Sequence, residues 1–350
     1  MTHTLLVPGA LLLEQDWETI AADFVPEPLA RRLTRARRSW SELPVRCLRW
    51  AEGAAHLAWL AREFAAPGEP PVCAPYAWRA SAAPGEAGAA DAQIWFCEPV
   101  HFSLQAERTV LAAIDTPALA AAESAALFEE AADSARAHGA TLREVSGRWY
   151  LFPAEPWDLQ STPLQAALGA SVEVRLPHGE DASRWRRLLN EVQMRWHAHR
   201  VNREREERGQ QLANALWLHG GGAWQALDRC RFARVHSEDP VLLGWQAAGA
   251  PCDSLNGAPT DSLTVCPQLF EAYWRRDWRT WATAWTAVHA QIQSQLDAAD
   301  AGPRERVELV ACGRAGVATF ELLRRPSILR SFLESRRRPL RESLTEPAQG

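Results

Sequence analysis

The chain has 350 residues, enough for two domains or one elaborated one, and its 47% hydrophobic and 23% charged residues form an ordinary soluble composition without a disorder signature. A formal charge of -5 and a pI near 6.1 argue against a general nucleic-acid binder, whose footprint is a basic patch. All 38 basic residues are arginine, which excludes both a Schiff-base lysine and a P-loop lysine.

The opening run TLLVPGALLL is apolar, but no basic residue precedes it and EQDWE follows at once. It is too short to span a bilayer and lacks a small-residue cleavage site, so it reads as a buried first strand of a cytoplasmic protein with no membrane role. Residues 14–64 read as helical, through PEPLARRL and LAWLAREF. The Pro-, Gly- and Ala-rich stretch 66–91 reads as a surface connection. QIWFCEPVHFSLQ then predicts one or two strands, ERTVLAAI another, and TPALAAAESAALFEEAADSARAHG a helix stopped at Gly139. TLREVSGRWYLF alternates across a Ser-Gly turn and predicts a hairpin. Residues 92–180 therefore form an α+β piece, read as a subdomain inserted into a core made of 1–91 and 181–350.

From Asp181, DASRW opens a helix. Its residues Trp185, Leu188, Leu189, Val192 and Trp196 share one face, while Asn190, Gln193 and His197 lie on another. The charge run NREREERGQQ crosses to a strand, ANALWL, followed by Gly220, Gly221 and Gly222. Further on, FEAYWRRDWRTWATAWTAVHAQIQSQL predicts the longest helix. Its stripe of Trp274, Trp278, Trp281, Trp285, Val288, Ile292 and Leu296 has the spacing of a packed core. VELVAC and VATFELL flank GRAG as a final hairpin, and the arginine-rich tail from Arg324 reads as solvated. Alternating strands and helices with apolar strands argue an α/β core.

The seven cysteines, Cys47, Cys73, Cys97, Cys230, Cys252, Cys266 and Cys312, are scattered and include no CxxC pair, as expected for reduced thiols. Glycines 220–222 stand after a strand, where backbone N–H groups often meet an anion, yet they match no nucleotide-binding motif; a bare turn fits equally. Arg148 interrupts a hairpin beside Trp149, which suits either an anion contact or an outward-facing strand position. His197 and His199 would point about 200° apart on a helix and so share no metal easily; His197 alone admits a ligand contact or a structural hydrogen bond. HSEDP offers His236, Glu238 and Asp239 either as metal ligands or as a helix cap. No GxSxG is present, and no cysteine has an active-site context.

The string LNEVQMRWHAHRVNREREERGQQLANALWLHGGG resembles the RpfE-type regulatory proteins, a bacterial branch of the cofactor-independent phosphoglycerate mutase-like proteins. EAADSARAHG with RWYLFP, EPVHF, PWDLQS and LPHG extend the resemblance over about residues 93–222. It implies an alkaline phosphatase-like three-layer α/β sandwich core with an inserted α+β subdomain. Active members of the family hold two divalent metals and move a phosphoryl group between the 2- and 3-positions of glycerate. The substrate-side positions it implies here are Arg148, Asn190, His197, Asn202, Arg205, Gly209, Asn214 and Gly220–Gly222.

The departures lie on the metal side. Active members open with a strand ending in Asp-Gly, whereas this chain reads LLVPGALLL, and no Asp-His dipeptide occurs anywhere. Two-metal phosphoryl transfer needs clustered hard anionic ligands. The expectation is therefore a catalytically degenerate relative with no metal cofactor, regulatory or binding in role. Its expected partners are a small phosphorylated metabolite and an unidentified protein. An active Mn- or Mg-dependent mutase or phosphatase and a purely structural interaction protein are the alternatives.

Overall fold

The computed structural model describes residues 2–20, 24–83, 85, 91–105, 107–114, 118–251, 261–300, 306–322 and 339–347. Its first half contains β1 (Thr2–Val7), α1 (Glu27–Arg35), β2 (Arg37–Glu42), α2 (Val45–Ala51), α3 (Ala55–Glu63), α4 (Ala74–Ser81), β3 (Gln93–Gln105), β4 (Arg108–Ala112), α5 (Ala121–Ala137), β5 (Ala140–Val145), β6 (Arg148–Pro153), α6 (Leu164–Ala167) and α7 (Val172–Arg175). Then follow α8 (Ala182–His197), α9 (Arg200–Glu207), β7 (Ala215–Ala223), β8 (Leu227–Cys230), β9 (Phe232–His236), α10 (Pro240–Ala248), β10 (Gly249–Pro251), β11 (Asp261–Val265), α11 (Phe270–Arg275), α12 (Trp278–Asp300), β12 (Arg306–Cys312) and β13 (Gly316–Leu322). The class is α/β.

The chain divides into two compact units, one of residues 1–66, 227–238 and 249–350, the other of 67–226 and 239–248. The second unit is larger than the 92–180 piece expected from sequence. The physical reason is that β7 pairs with β3 along residues 93–100, and the buried face of α8 joins the same apolar core as β3 and β6.

The first unit is built on a sheet ordered β2-β13-β12-β1-β11-β9. β1 lies parallel to both β12 and β11, and β11 parallel to β9, while β13 and β2 continue antiparallel. A strand flanked this way is covered on both faces, which explains the unbroken apolar run of β1, with Leu5, Leu6 and Val7 fully buried. Leu5, Val7, Leu309, Ala311, Ala318 and Phe320 form one core with Leu29 and Leu33 of α1 and with Trp281, Trp285, Val288, Ile292 and Leu296 of α12. Leu6, Val310 and Val317 alternate to the opposite face and are buried too. Helices α1 and α12 thus cover one face, and α3 packs along β13 outside that core.

Three sequence expectations are corrected here. The span 14–64 is not all helical: RRSWSE forms edge strand β2, whose Arg37 and Glu42 stay exposed while Trp40 packs on the core. The tryptophan helix is two helices, because Arg276 adopts a left-handed conformation (φ 55°) and Asp277 recaps the chain by accepting from the Thr280 N–H at 3.1 Å. Trp274 and Trp278, beside the break, are consequently only half-buried. The solvated tail is also revised. Leu344 is fully buried and the Glu346 side chain nearly so, whereas residues 323–338, with most of the tail arginines, lie outside the described residues.

The second unit is an antiparallel sheet in which long β3 pairs with β6 and β7 through its first half and with β4 through its second, and β5 flanks β6. The β5–β6 turn places Ser146 and Gly147 at φ 53° and 77°, the pair of positive values that a two-residue hairpin requires. One face holds Trp95, Cys97, Trp149 and Leu151 against α5 and α8. The other holds Ile94, Phe96 and Tyr150 against α4. Helix α4 is itself a correction, since 66–91 reads as loop. Tyr76 and Trp78 are buried, and the Tyr76 hydroxyl donates to Gln225 O at 3.0 Å, so packing fixes a helix that local composition hides.

Candidate functional site

The 189–222 string folds into α8, a short turn, α9 and β7, and most of its polar residues hold that arrangement together. Asn202 is 3% exposed; its Nδ2 donates to Trp196 O at 2.8 Å and Ala213 O at 2.7 Å, and its Oδ1 accepts from the Ala213 N–H at 3.1 Å. Both N–H donors and the oxygen of its amide are engaged, so it clamps the end of α8 to the start of β7. Arg205, 1% exposed, donates Nε to Gln211 O at 2.7 Å and Nη1 to Glu123 at 2.7 Å. Asn214 mimics a ladder pair with Phe102, accepting from its N–H at 2.7 Å and donating to its carbonyl at 2.9 Å. Gly209 ends α9 at φ 66°. Asn190 and His197 are exposed on α8, whose opposite stripe enters the core. His199 caps α9 by accepting from the Val201 N–H at 3.2 Å. Asp181, at the N-terminal end of α8, accepts from the Asp158 N–H at 2.9 Å rather than from the helix's own first turn.

The glycine triple is not a cradle after a strand; it is the end of β7 itself, paired with β3. Close packing explains it. A Cβ on Gly221 would lie 1.9 Å from the Trp95 ring and one on Gly222 2.6 Å from Val72, while Gly220, at φ 63°, carries the carbonyl that accepts from the Cys73 N–H at 2.9 Å.

Arg148 stands apart from these residues. Alternation along β6 puts Arg148 and Tyr150 on the α4 face, whereas Trp149 faces α8. The sheet therefore separates Arg148 from Asn190 and His197, and the implied positions do not converge on one site. A different group gathers around Arg148. His219 of β7, 7% exposed, places Nε2 3.1 Å from Glu98 Oε2, and its ring lies 5.1 Å from Phe96. Burial alone would raise the Glu98 carboxyl, but the His219 hydrogen bond and charge, with the charge of Arg148, outweigh it and hold the carboxyl below its usual range. The Arg148 guanidinium carbon sits 5.6 Å from the Phe96 ring and has no ion pair or hydrogen bond to any described residue. Tyr150 is fully buried, and burial pushes its hydroxyl up to about 12. Cys73 is likewise raised, by burial and then by Asp239. Neither group is an activated nucleophile. What the cluster presents is a guanidinium with no hydrogen bond to a described residue, near a carboxylate that is hydrogen-bonded to His219.

Glu98, His219 and Tyr150 were not singled out in the sequence. The signal was present in EPVHF and LWLHGGG, but the partnership depends on the β3–β7 register, which composition does not reveal.

The metal centre implied by the resemblance does not fit. β1 ends in Val7-Pro8-Gly9, β11 in Val265-Cys266 and β12 in Cys312-Gly313, so these strand ends supply no carboxylate. His236 is exposed at the end of β9, and Asp239 caps α10 by accepting from the Val241 N–H at 3.0 Å. Among the described residues no group of three or more His, Cys, Asp or Glu side chains converges as a metal site. No described helix is long and apolar enough to cross a membrane, and Cys47, Cys73, Cys97, Cys230, Cys266 and Cys312 are free thiols, whereas Cys252 lies outside the described residues.

No family model matches the chain, and no curated protein matches it. Among solved structures it is similar to the PH0037 protein from Pyrococcus horikoshii, at 10% identity over 92% of this chain and 87% of that one, with a TM-score of 0.46. It is also similar to the cofactor-independent phosphoglycerate mutase from Thermoplasma acidophilum, at 14% identity over 91% and 88%, with a TM-score of 0.36.

Proposed function

We propose that this chain is a regulatory or binding protein that takes a small phosphorylated metabolite at Arg148 and performs no phosphoryl transfer. The observation that carries the reading is the state of the Arg148 guanidinium: half-buried on a sheet face, with no acceptor among the described residues. Arginine's planar fork matches a phosphate or carboxylate with two parallel hydrogen bonds. Glu98 nearby is engaged by His219 Nε2 at 3.1 Å, which leaves the Arg148 guanidinium without a carboxylate hydrogen bond of its own among the described residues. The second reading, a working metal-dependent mutase, would need hard ligands at the strand ends, where this chain carries Val, Pro, Gly and Cys.

Isothermal titration with 3-phosphoglycerate tests the proposal. Binding by the native chain that weakens at least tenfold in Arg148→Ala, about 1.4 kcal/mol, supports it. Equal binding by the two proteins, or none by either, overturns it.

A further inference from the structure

Arg148 is not the only arginine of this kind on its sheet face. Arg143 of β5 lies directly opposite Tyr150, and Arg148 stands two residues before Tyr150 on β6. The two arginines are therefore diagonal neighbours, with Cα atoms about 7–8 Å apart. Residues directly opposite in a ladder share a face, so Arg143 projects with Tyr150 and Arg148 to the α4 side. Glu144, next in the chain, alternates to the other face with Leu142. Both guanidiniums are seated on rings. That of Arg148 lies 5.6 Å from the Phe96 ring, and that of Arg143 lies 5.0 Å from Phe152 and 5.9 Å from Trp78. These rings form one row through Tyr150, with centroids 5.3 Å apart from Phe96 to Tyr150, 5.1 Å from Tyr150 to Trp78 and 4.9 Å from Trp78 to Phe152. Phe96, Tyr150 and Trp78 are buried, so the row is a fixed platform with one arginine towards each end.

Arg143, like Arg148, has no ion pair or hydrogen bond to a described residue. Contact with a ring uses the charge of a guanidinium but none of its N–H donors, so both forks keep the donors that suit phosphate or carboxylate. Resting on phosphate binding at Arg148, we propose that the ligand carries a second anionic group and that Arg143 is the subsite for it. The ligand class is a bisphosphate, or a phosphate with a carboxylate at the far end of its carbon chain, extended enough to reach from one end of the aromatic row to the other. A ligand with a single phosphate satisfies one fork only. Each fork held by its ring loses less side-chain freedom on binding than a solvated arginine would, which favours the two-ended ligand further.

The test is isothermal titration of the full chain with hexanediol bisphosphate, which has a phosphate at each end, and with hexyl phosphate, which has one. The native chain is expected to bind the bisphosphate at least tenfold more tightly than the monophosphate. Arg143→Ala, at an exposed position, removes that advantage and leaves the monophosphate affinity unchanged. Arg148→Ala weakens both ligands at least tenfold. Equal binding of the two ligands by the native chain overturns the second subsite, as does a loss in Arg143→Ala that is the same for both; either result leaves phosphate at Arg148 standing. Binding by Arg148→Ala that matches the native chain, or no binding by the native chain, overturns both assignments together.

Discussion

His219 Nε2 and Glu98 Oε2 stand 3.1 Å apart across the β3–β7 pair. The carboxyl titrates below its unfolded value of about 4.3, so the stabilisation it contributes is complete above that value. It is lost as pH falls through the lower folded pKa. Glu98→Gln is expected to flatten the acid limb of stability below pH 4, measured by urea melts across pH. Truncating His219 to alanine leaves the carboxylate without its partner and costs about 2 kcal/mol at pH 7.

His56 predicts a second, separate acid sensitivity. It is 8% exposed and packs edge-on against Phe270 at 4.6 Å, and burial lowers it to about 3. A histidine depressed in the folded state binds its proton only on unfolding. Its stabilising contribution is therefore full above about pH 6.5 and declines as pH falls towards 3. His56→Phe, following the contacts already present, is expected to remove the slope between pH 6.5 and 4 in the same melts while leaving the Glu98 limb below it.

Arg205 separates scaffold from site. Its guanidinium is buried, donates to Gln211 O at 2.7 Å and pairs with Glu123 at 2.7 Å; Arg205→Ala removes both bonds while Glu123 keeps Arg208 at 3.0 Å, and is expected to destabilise by about 2–3 kcal/mol. Binding of 3-phosphoglycerate per folded molecule should not change. A variant that kept native stability but lost binding would return Arg205 to the ligand.

Gly221→Ala distinguishes packing from anion contact in the glycine triple. The added Cβ meets the Trp95 ring at 1.9 Å, inside a sheet pair, and neither partner has space to retreat. A loss of about 2–3 kcal/mol or more is expected in chemical denaturation, with or without ligand present. A variant as stable as the native chain would contradict the packing account.

Much of this fold is legible in the sequence because its signals are periodic. The apolar stripe of Trp185, Leu188, Leu189, Val192 and Trp196 marks the face of α8 that is buried. Ser146-Gly147 marks the β5–β6 turn, and the unbroken LLV of β1 marks a strand covered on both sides. What was hidden depends on partners distant in the chain. Strand β2 is charged on its open face and gains its identity from pairing with β13, and α4 sits in a loop-like composition but is held by Tyr76 and Trp78. The same limit applies to the site. Asn202 and Asn214 read as ligand-side residues only through the family resemblance; the placement of Ala213 and Phe102 reveals that their bonds are already spent within the fold.

The most direct test of binding without phosphoryl transfer is a coupled phosphoglycerate mutase assay on metal-stripped, folded protein, with and without added manganese. The account predicts no turnover in either condition from the same preparation that binds 3-phosphoglycerate through Arg148. Manganese-dependent turnover on the order of 1 per second or more would contradict it.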